Sequence, residues 1–268
     1  MTKHRKSYAA AIGLASPLAL MALHPAMASA STPTTCAGRV ATIVVTSTSP
    51  TTVYGTTRND VIVVKVSGHI VRAGYGNDVI CGSIGRDVIY GGAGADTELG
   101  GSGNDSLLGE SGNDHLSGGS GNDYEDGGIG DDFIRGGDGT DLIQGSAGSD
   151  YEFGEGGSDV VAGSSGNDLL AGGAGADNVN GGIGDDFISG GTEDDSLSGG
   201  SGDDTLHGDQ GEDSLHGDEG ADTEDGGEGI DHVDDDGEDT IEVDEVDNDV
   251  ETSTSDTAPA MALSSLHA

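Results

Sequence analysis

One nine-residue phrase is written eighteen times between residues 73 and 234, without an insertion or a deletion. It reads Gly-Gly-x-Gly-x-Asp-x-U-x, where U is a large aliphatic. Gly100-Gly101-Ser102-Gly103-Asn104-Asp105-Ser106-Leu107-Leu108 is one complete copy. Counting in nines from Asp78 gives Asp87, Asp96, Asp105, Asp114, Asp123, Asp132, Asp141, Asp150, Asp159, Asp168, Asp177, Asp186, Asp195, Asp204, Asp213, Asp222 and Asp231. The Gly two residues earlier is present in seventeen of the eighteen copies, and Glu193 replaces it in the other. A fixed short period held this long is the signature of a solenoid, because each unit buries its apolar side chain only against its neighbours.

The phrase has two halves. Gly-Gly-x-Gly-x-Asp suits a turn, since Gly reaches positive φ without a steric penalty and Asp and Asn tolerate tight bends. The remaining three residues predict a very short strand whose middle residue points inward. That residue is Ile80, Ile89, Leu107, Leu116, Ile134, Ile143, Val161, Leu170, Val179, Ile188, Leu197, Leu206, Leu215 or Val233. Two units make an eighteen-residue coil, turn–strand–turn–strand. Eighteen units then predict nine coils, a rod roughly 43 Å long at the usual strand spacing. Its core is one side chain thick on each wall.

So thin a core needs help, and the turns suggest its source. Stacked turns place their Asp carboxylates and carbonyls in a column of oxygen. Such a donor set suits Ca²⁺, which takes six to eight oxygen ligands; Mg²⁺ is stricter in geometry, and Zn²⁺ prefers Cys or His. The formal net charge is −41, from 50 acidic and 9 basic residues. Without Lys3, Arg5 and Lys6 it becomes −44, and no Lys or Arg follows Arg135. An acidic run is ordinarily a solvated or disordered segment, but these acids are phased. Ions held between stacked turns, on the order of 16 at full occupancy, would neutralise most of that charge. Nucleic acid is excluded as a partner by sign.

The phrase resembles the RTX (repeat-in-toxin, hemolysin-type) calcium-binding repeat. That resemblance covers residues 73–234, with Asn59-Asp60-Val61-Ile62 as a degenerate leading copy. It implies an all-β fold, a right-handed parallel β-roll with Ca²⁺ between successive turns. It also implies that the eighteen Asp carboxylates named above are ligands, alongside turn carbonyls. The Glu193 copy departs from the pattern.

Residues 1–30 read as a signal peptide, with a basic start at Lys3–Lys6, an apolar stretch from Ala9 to Leu23 and a small-residue cleavage site at Ala28-Ser29-Ala30. The mature chain would begin at Ser31, with Ala26-Met27-Ala28 as the alternative site, and the protein would be exported and released. Residues 31–72 form an N-terminal β cap, containing the β-branched runs Ala41–Val45 and Val61–Val66. His69 stands where the phase calls for Asp. Only Cys36 and Cys81 occur. In an exported chain they are expected to pair, stapling the cap to the first full repeat; two free thiols are the alternative. Thr35–Arg39 and Ile80-Cys81-Gly82 also resemble the start of small secreted RTX calcium-binding proteins.

Four copies carry a carboxylate at the inward position: Glu98, Glu125, Glu152 and Glu224. A wet or widened core, or a shifted strand that turns the Glu outward, is the first expectation. An extra cation site or an acid sensor is the second. His115, His207, His216 and His232 are expected at the surface. Residues 235–268 lose the phase and form an acidic cap and disordered tail, with Asp239–Val243 as a closing strand. The run Asp234-Asp235-Asp236-Gly237 lacks the end ligands of an EF-hand loop, having His232 and Val243 there.

About forty residues separate the signal from the repeats, too few for a protease or lipase, and neither H-E-x-x-H nor G-x-S-x-G occurs. The sequence therefore predicts a secreted, extracellular, monomeric calcium-binding protein with a structural or matrix role rather than an enzyme. A calcium-dependent adhesin that presents a face to cell wall or glycans is the alternative, and a cryptic hydrolase ranks third.

Overall fold

The computed structural model describes residues 34–49, 51–235, 240–241 and 250–253. The signal peptide, its cleavage sites, the Asp236-Gly237 end of the acidic loop and the tail after Ser253 lie outside the described residues. Two parallel sheets of twelve strands face one another. The chain enters one sheet, turns, enters the other, and returns eighteen residues later one strand along. Leu107 thus pairs with Ile89 on one side and Glu125 on the other. The same offset joins Leu116 to Glu98 and Ile134 on the opposite wall. Every inward aliphatic from Ile80 to Val233 is fully buried.

The strands are longer than the phrase predicts. Most hold six residues, as in Thr97–Ser102 and Ser106–Ser111, and the turn shrinks to three, such as Gly112-Asn113-Asp114. The Gly-Gly pair belongs to the strand. Its first Gly faces inward and is skipped in the register, while the second pairs with its equivalent one coil away, as Gly119 does with Gly101. The second bends the chain at positive φ, 106° at Gly101. Pairing survives that bend because the neighbouring coil bends at the same place.

The roll also begins before the first full copy. Ile43–Val45, Thr52–Tyr54, Val61–Val64 and Ile70–Tyr75 pair in parallel with the sheets, so each wall has twelve strands where the eighteen copies alone predict nine coils. All four residues of Val61–Val64 are buried. Their inner face meets the core, and Val61 and Val63 on the outer face are covered by Cys36 of the antiparallel pair Thr35–Cys36 and Arg39–Val40. Cys36 and Cys81 are joined in a disulfide with Cα atoms 5.8 Å apart. At the far end Thr240–Ile241 pairs with Thr223 and Glu224, and Val250–Ser253 pairs with His232–Asp235. Among the described residues there is no helix, and none therefore long and apolar enough to cross a membrane.

Candidate metal centre: two columns of aspartates

Because each coil repeats every eighteen residues, the repeated Asp residues divide into two columns. One runs Asp78, Asp96, Asp114 and onward to Asp222; the other runs Asp87, Asp105, Asp123 and onward to Asp231. Each carboxylate sits at the end of a turn with its side chain folded inward, at most 4% exposed. One oxygen accepts a hydrogen bond from the backbone amide of the Asp one coil earlier. Asp78 N–H donates to Asp96 Oδ1 at 2.7 Å, Asp96 N–H to Asp114 Oδ1 at 2.8 Å, and that chain of bonds continues to Asp204 N–H and Asp222 Oδ1 at 2.8 Å, while the other column ends with Asp213 N–H and Asp231 Oδ1 at 2.7 Å.

The other oxygen is buried. In sixteen of the eighteen copies (all but Asp87 and Asp222) that oxygen is Oδ2, and it has no hydrogen-bond partner. From Asp96 onward it points at the first Gly of the same copy. A Cβ on Gly100 would lie 2.8 Å from Asp105 Oδ2, and one on Gly91 2.7 Å from Asp96 Oδ2. No positive φ is needed at these two Gly residues, so Gly is there for space. It keeps open the volume the carboxylate occupies.

The opening coils handle the same group differently. Asp60 heads the first column, and its oxygens are taken by the Thr42 hydroxyl at 3.2 Å and by the Thr56 amide and hydroxyl at 2.7 and 2.9 Å. Asp87 Oδ2 accepts from the Ser83 amide and hydroxyl at 2.8 and 2.7 Å, leaving Oδ1 without a partner. His69 fills the Asp place before Asp87 and bonds Val66 O through Nδ1 at 2.9 Å. In the Asp60 and Asp87 copies Thr56 and Ser83, at the second position of the phrase, serve the carboxylate. Ser146 and Ser164 hold the same place before Asp150 and Asp168 without reaching Oδ2.

Burial raises the pKa of many of these carboxyls, opposed by the amide hydrogen bond and in several reinforced by neighbouring carboxylates. Asp96, Asp105 and Asp114 rise from 3.8 to about 6, and Asp132, Asp141, Asp186 and Asp195 to about 7. Like charges stacked one coil apart in a poorly solvated edge call for protons or cations. Among the described residues no three His, Cys, Asp or Glu side chains converge on a point. A cation here must take most ligands from backbone carbonyls. Carboxylate plus carbonyl oxygen is a calcium donor set.

The inward glutamates are not turned outward. Glu98, Glu125, Glu152 and Glu224 are fully buried and keep the register of the Leu and Ile they replace. Their spacing now has a geometric reading. Twenty-seven residues are one and a half coils, so Glu98 and Glu152 lie on one wall and Glu125 on the other. Burial, then nearby Asp carboxylates, lifts Glu98 and Glu152 far above the usual range and Glu125 to about 9.

One ladder escaped the sequence reading. Where Asn or Asp precedes the repeated Asp it also stacks: Asn104 Oδ1 accepts from Asn122 N–H at 3.3 Å, and Asp185 Oδ1 from Asp203 N–H at 3.1 Å. The recurring Asn or Asp at that place was its signal. The repeat-strand histidines His115, His207, His216 and His232 lie on the outer faces, where His115 packs on Phe133 at 4.9 Å and His207 Nδ1 stands 3.6 Å from Asp225 Oδ2.

A two-walled parallel solenoid with a buried, oxygen-lined column at each edge defines a calcium-binding β-roll. The family model for the RTX calcium-binding nonapeptide repeat matches residues 70–98, 99–125, 126–161, 153–188, 189–224 and 198–233, and the chain belongs to that family. No curated protein matches it.

Proposed function

We propose that the protein is secreted and that many Ca²⁺ ions, held by the eighteen Asp carboxylates from Asp78 to Asp231, set its fold outside the cell. The reading rests above all on the carboxylate oxygen left buried without a partner in copy after copy. A protein does not ordinarily bury such a group without compensation, because each costs on the order of 1–3 kcal/mol. An ion between successive turns would satisfy them together. If each site binds near ~0.1 mM, ~1 mM free Ca²⁺ stabilises it by about 1.4 kcal/mol. Over the array this amounts to about 20 kcal/mol, enough to decide whether the chain folds. Residues 1–30 act as the export signal, 31–72 close the N-terminal end of the roll, 73–234 carry the ions, and 235–268 close the other end. The protein works as a monomeric structural or matrix component without catalysis. The test is a calcium titration of the chain from Ser31, followed by far-UV circular dichroism with Mg²⁺ as control. A cooperative coil-to-β transition specific to Ca²⁺ supports the reading, and a chain fully folded in chelator sinks it.

A second reading, a calcium-dependent adhesin for cell wall or glycan, draws on one observation. All three Phe residues of the chain, Phe133, Phe153 and Phe187, lie on the outer face of one wall rather than in the core. Phe133, Tyr151, Leu169 and Phe187 occupy equivalent places on four successive strands. Retention on cell-wall material with Ca²⁺ and release by chelator would favour it; no retention in either condition removes it.

A further inference from the structure

Three of the inward glutamates do more than interrupt the aliphatic stack. The point that a Cβ on Gly91 would occupy has both Asp96 Oδ2 and Glu98 Oε1 within 2.7 Å. At Gly118 both Asp123 Oδ2 and Glu125 Oε1 lie within 2.5 Å, and at Gly145 the same holds for Asp150 Oδ2 and Glu152 Oε1. Each Glu therefore bends back toward the carboxylate two residues before it and shares the pocket that the first Gly keeps open. At Gly217 the nearest atoms all belong to Asp222, so Glu224 does not repeat the arrangement.

All three Glu side chains are fully buried, and none of their oxygens meets hydrogen-bond geometry. The amides of Gly91 and Gly145 lie near enough to Glu98 and Glu152 to favour the charged form. Among the described residues the ion pairs, Arg135–Glu155 and His207–Asp225, lie on the outside of the roll and not in these pockets. Two convergent carboxylates in a dry pocket repel unless something positive stands between them. A divalent cation neutralises both at once, and adding a carboxylate to a calcium site strengthens it by ligand charge.

We propose that Glu98, Glu125 and Glu152 are additional carboxylate ligands to calcium, each acting with the Asp two residues before it. They create three sites of higher ligand charge among the ordinary ones. This rests on the calcium reading of the Asp columns and adds residues that the repeat phrase reserves for the apolar core. The three sites alternate between the walls at one and a half coils, so they hold both edges of the N-terminal half of the repeat array. They would fill first as calcium rises, and would prefer trivalent lanthanides over Ca²⁺.

The test compares the purified protein with the triple variant Glu98→Gln, Glu125→Gln, Glu152→Gln, which keeps shape and removes charge. Calcium uptake is read by equilibrium dialysis and calorimetry, and Tb³⁺ retention by luminescence under excess Ca²⁺. The expected result is that the three tightest calcium steps weaken about tenfold, that the remaining steps are unchanged, and that three Tb³⁺ ions are no longer retained. Superimposable isotherms and equal Tb³⁺ retention overturn the proposal while leaving the Asp columns intact. A parent protein that takes up no calcium fails at the earlier reading instead, and this proposal falls with it. Should the Gln variant not fold, the Glu98→Leu, Glu125→Leu, Glu152→Leu variant restores the residue type of the other copies. Its isotherm then decides: three tight steps missing supports the assignment, and a full set overturns it.

Discussion

The backbone amide of Asp105 donates to Asp123 Oδ1 at 2.7 Å, and the other oxygen of Asp123 turns into the roll over Gly118. One side chain thus ties a coil to the coil before it and offers a bare oxygen to the turn. The two halves of its job can be separated by substitution.

Asp123→Asn keeps an acceptor for the Asp105 amide and removes the charge. In calcium-free buffer the variant should be more structured than the parent, because one member of a repelling column is gone. With calcium the order should reverse, with the folding midpoint moved to higher free Ca²⁺, since each adjacent site loses a ligand charge. Paired calcium titrations by circular dichroism check it, and a shift of the same sign in both conditions would show that the carboxylate is only structural.

Gly118→Ala tests the reserved space. Gly118 has no positive φ, so the ordinary expectation for Gly→Ala is a gain of about 0.4–1 kcal/mol from the stiffer unfolded chain. Here the new methyl meets Asp123 Oδ2 at 2.5 Å and crowds Glu125. Overpacking of this kind costs about 1–3 kcal/mol. Denaturant unfolding in saturating calcium should show a net loss.

Glu193 replaces the turn Gly at φ 78°. A non-Gly residue held there costs on the order of 1–2 kcal/mol. Glu193→Gly should therefore stabilise the roll by about 1 kcal/mol, raising the denaturation midpoint without changing the number of ions bound.

Without calcium, pH should govern the fold in a definite direction. The column carboxyls hold protons more tightly in the roll than in the unfolded chain, with values of about 6 at Asp96 and Asp114 and about 7 at Asp132 and Asp141 against an ordinary 3.8. Groups raised in this way stabilise the fold fully below the ordinary value, and that contribution is lost as pH rises through 6 to 7. Glu125 extends the loss toward 9. Ion-free protein should be more ordered at pH 5 than at pH 8. Saturating calcium should flatten the dependence, since ions compete with protons for the same oxygens. Thermal midpoints by circular dichroism across that range provide the check.

Reduction of Cys36–Cys81 should loosen the N-terminal end first. The bridge closes a loop across a separation of 45 residues, for which chain entropy gives about 4 kcal/mol. The covered cluster of Val61, Val63 and Val79 depends on Cys36 staying in place. Hydrogen exchange should rise there under reductant while amides near Leu170 stay protected.

Much of this molecule was legible from periodicity. The phase of Asp and aliphatic forces an eighteen-residue coil, one inward hydrophobe per unit and carboxylates in columns, because no other arrangement buries Leu107 through Leu215 on so short a repeat. Less was legible wherever a residue's meaning depends on its neighbour one coil away. The first Gly read as turn chemistry, yet Gly100 is a strand residue that leaves room for Asp105. Glu98 read as a wet or widened place in the core or a residue that a strand shift would expel, with a cation site or acid sensor as the second reading, and register with Leu116 holds it inside. Asp87 read like the other aspartates and Asp60 as part of a degenerate leading copy, yet Thr42, Thr56 and Ser83 serve them.

Sequence alone thus determined the coil, its inward residues and the oxygen-rich edges, since a strict period leaves the backbone one way to repeat. Only the tertiary structure decided which oxygen of an Asp such as Asp123 is tied and which is bare. It also decided that Glu125 converges on Asp123 over Gly118, and that the Phe residues gather on one outer face. Those facts come from contacts between coils, where residues eighteen apart, or two apart around a bend, are brought within a few ångströms by sheet register rather than by any local signal.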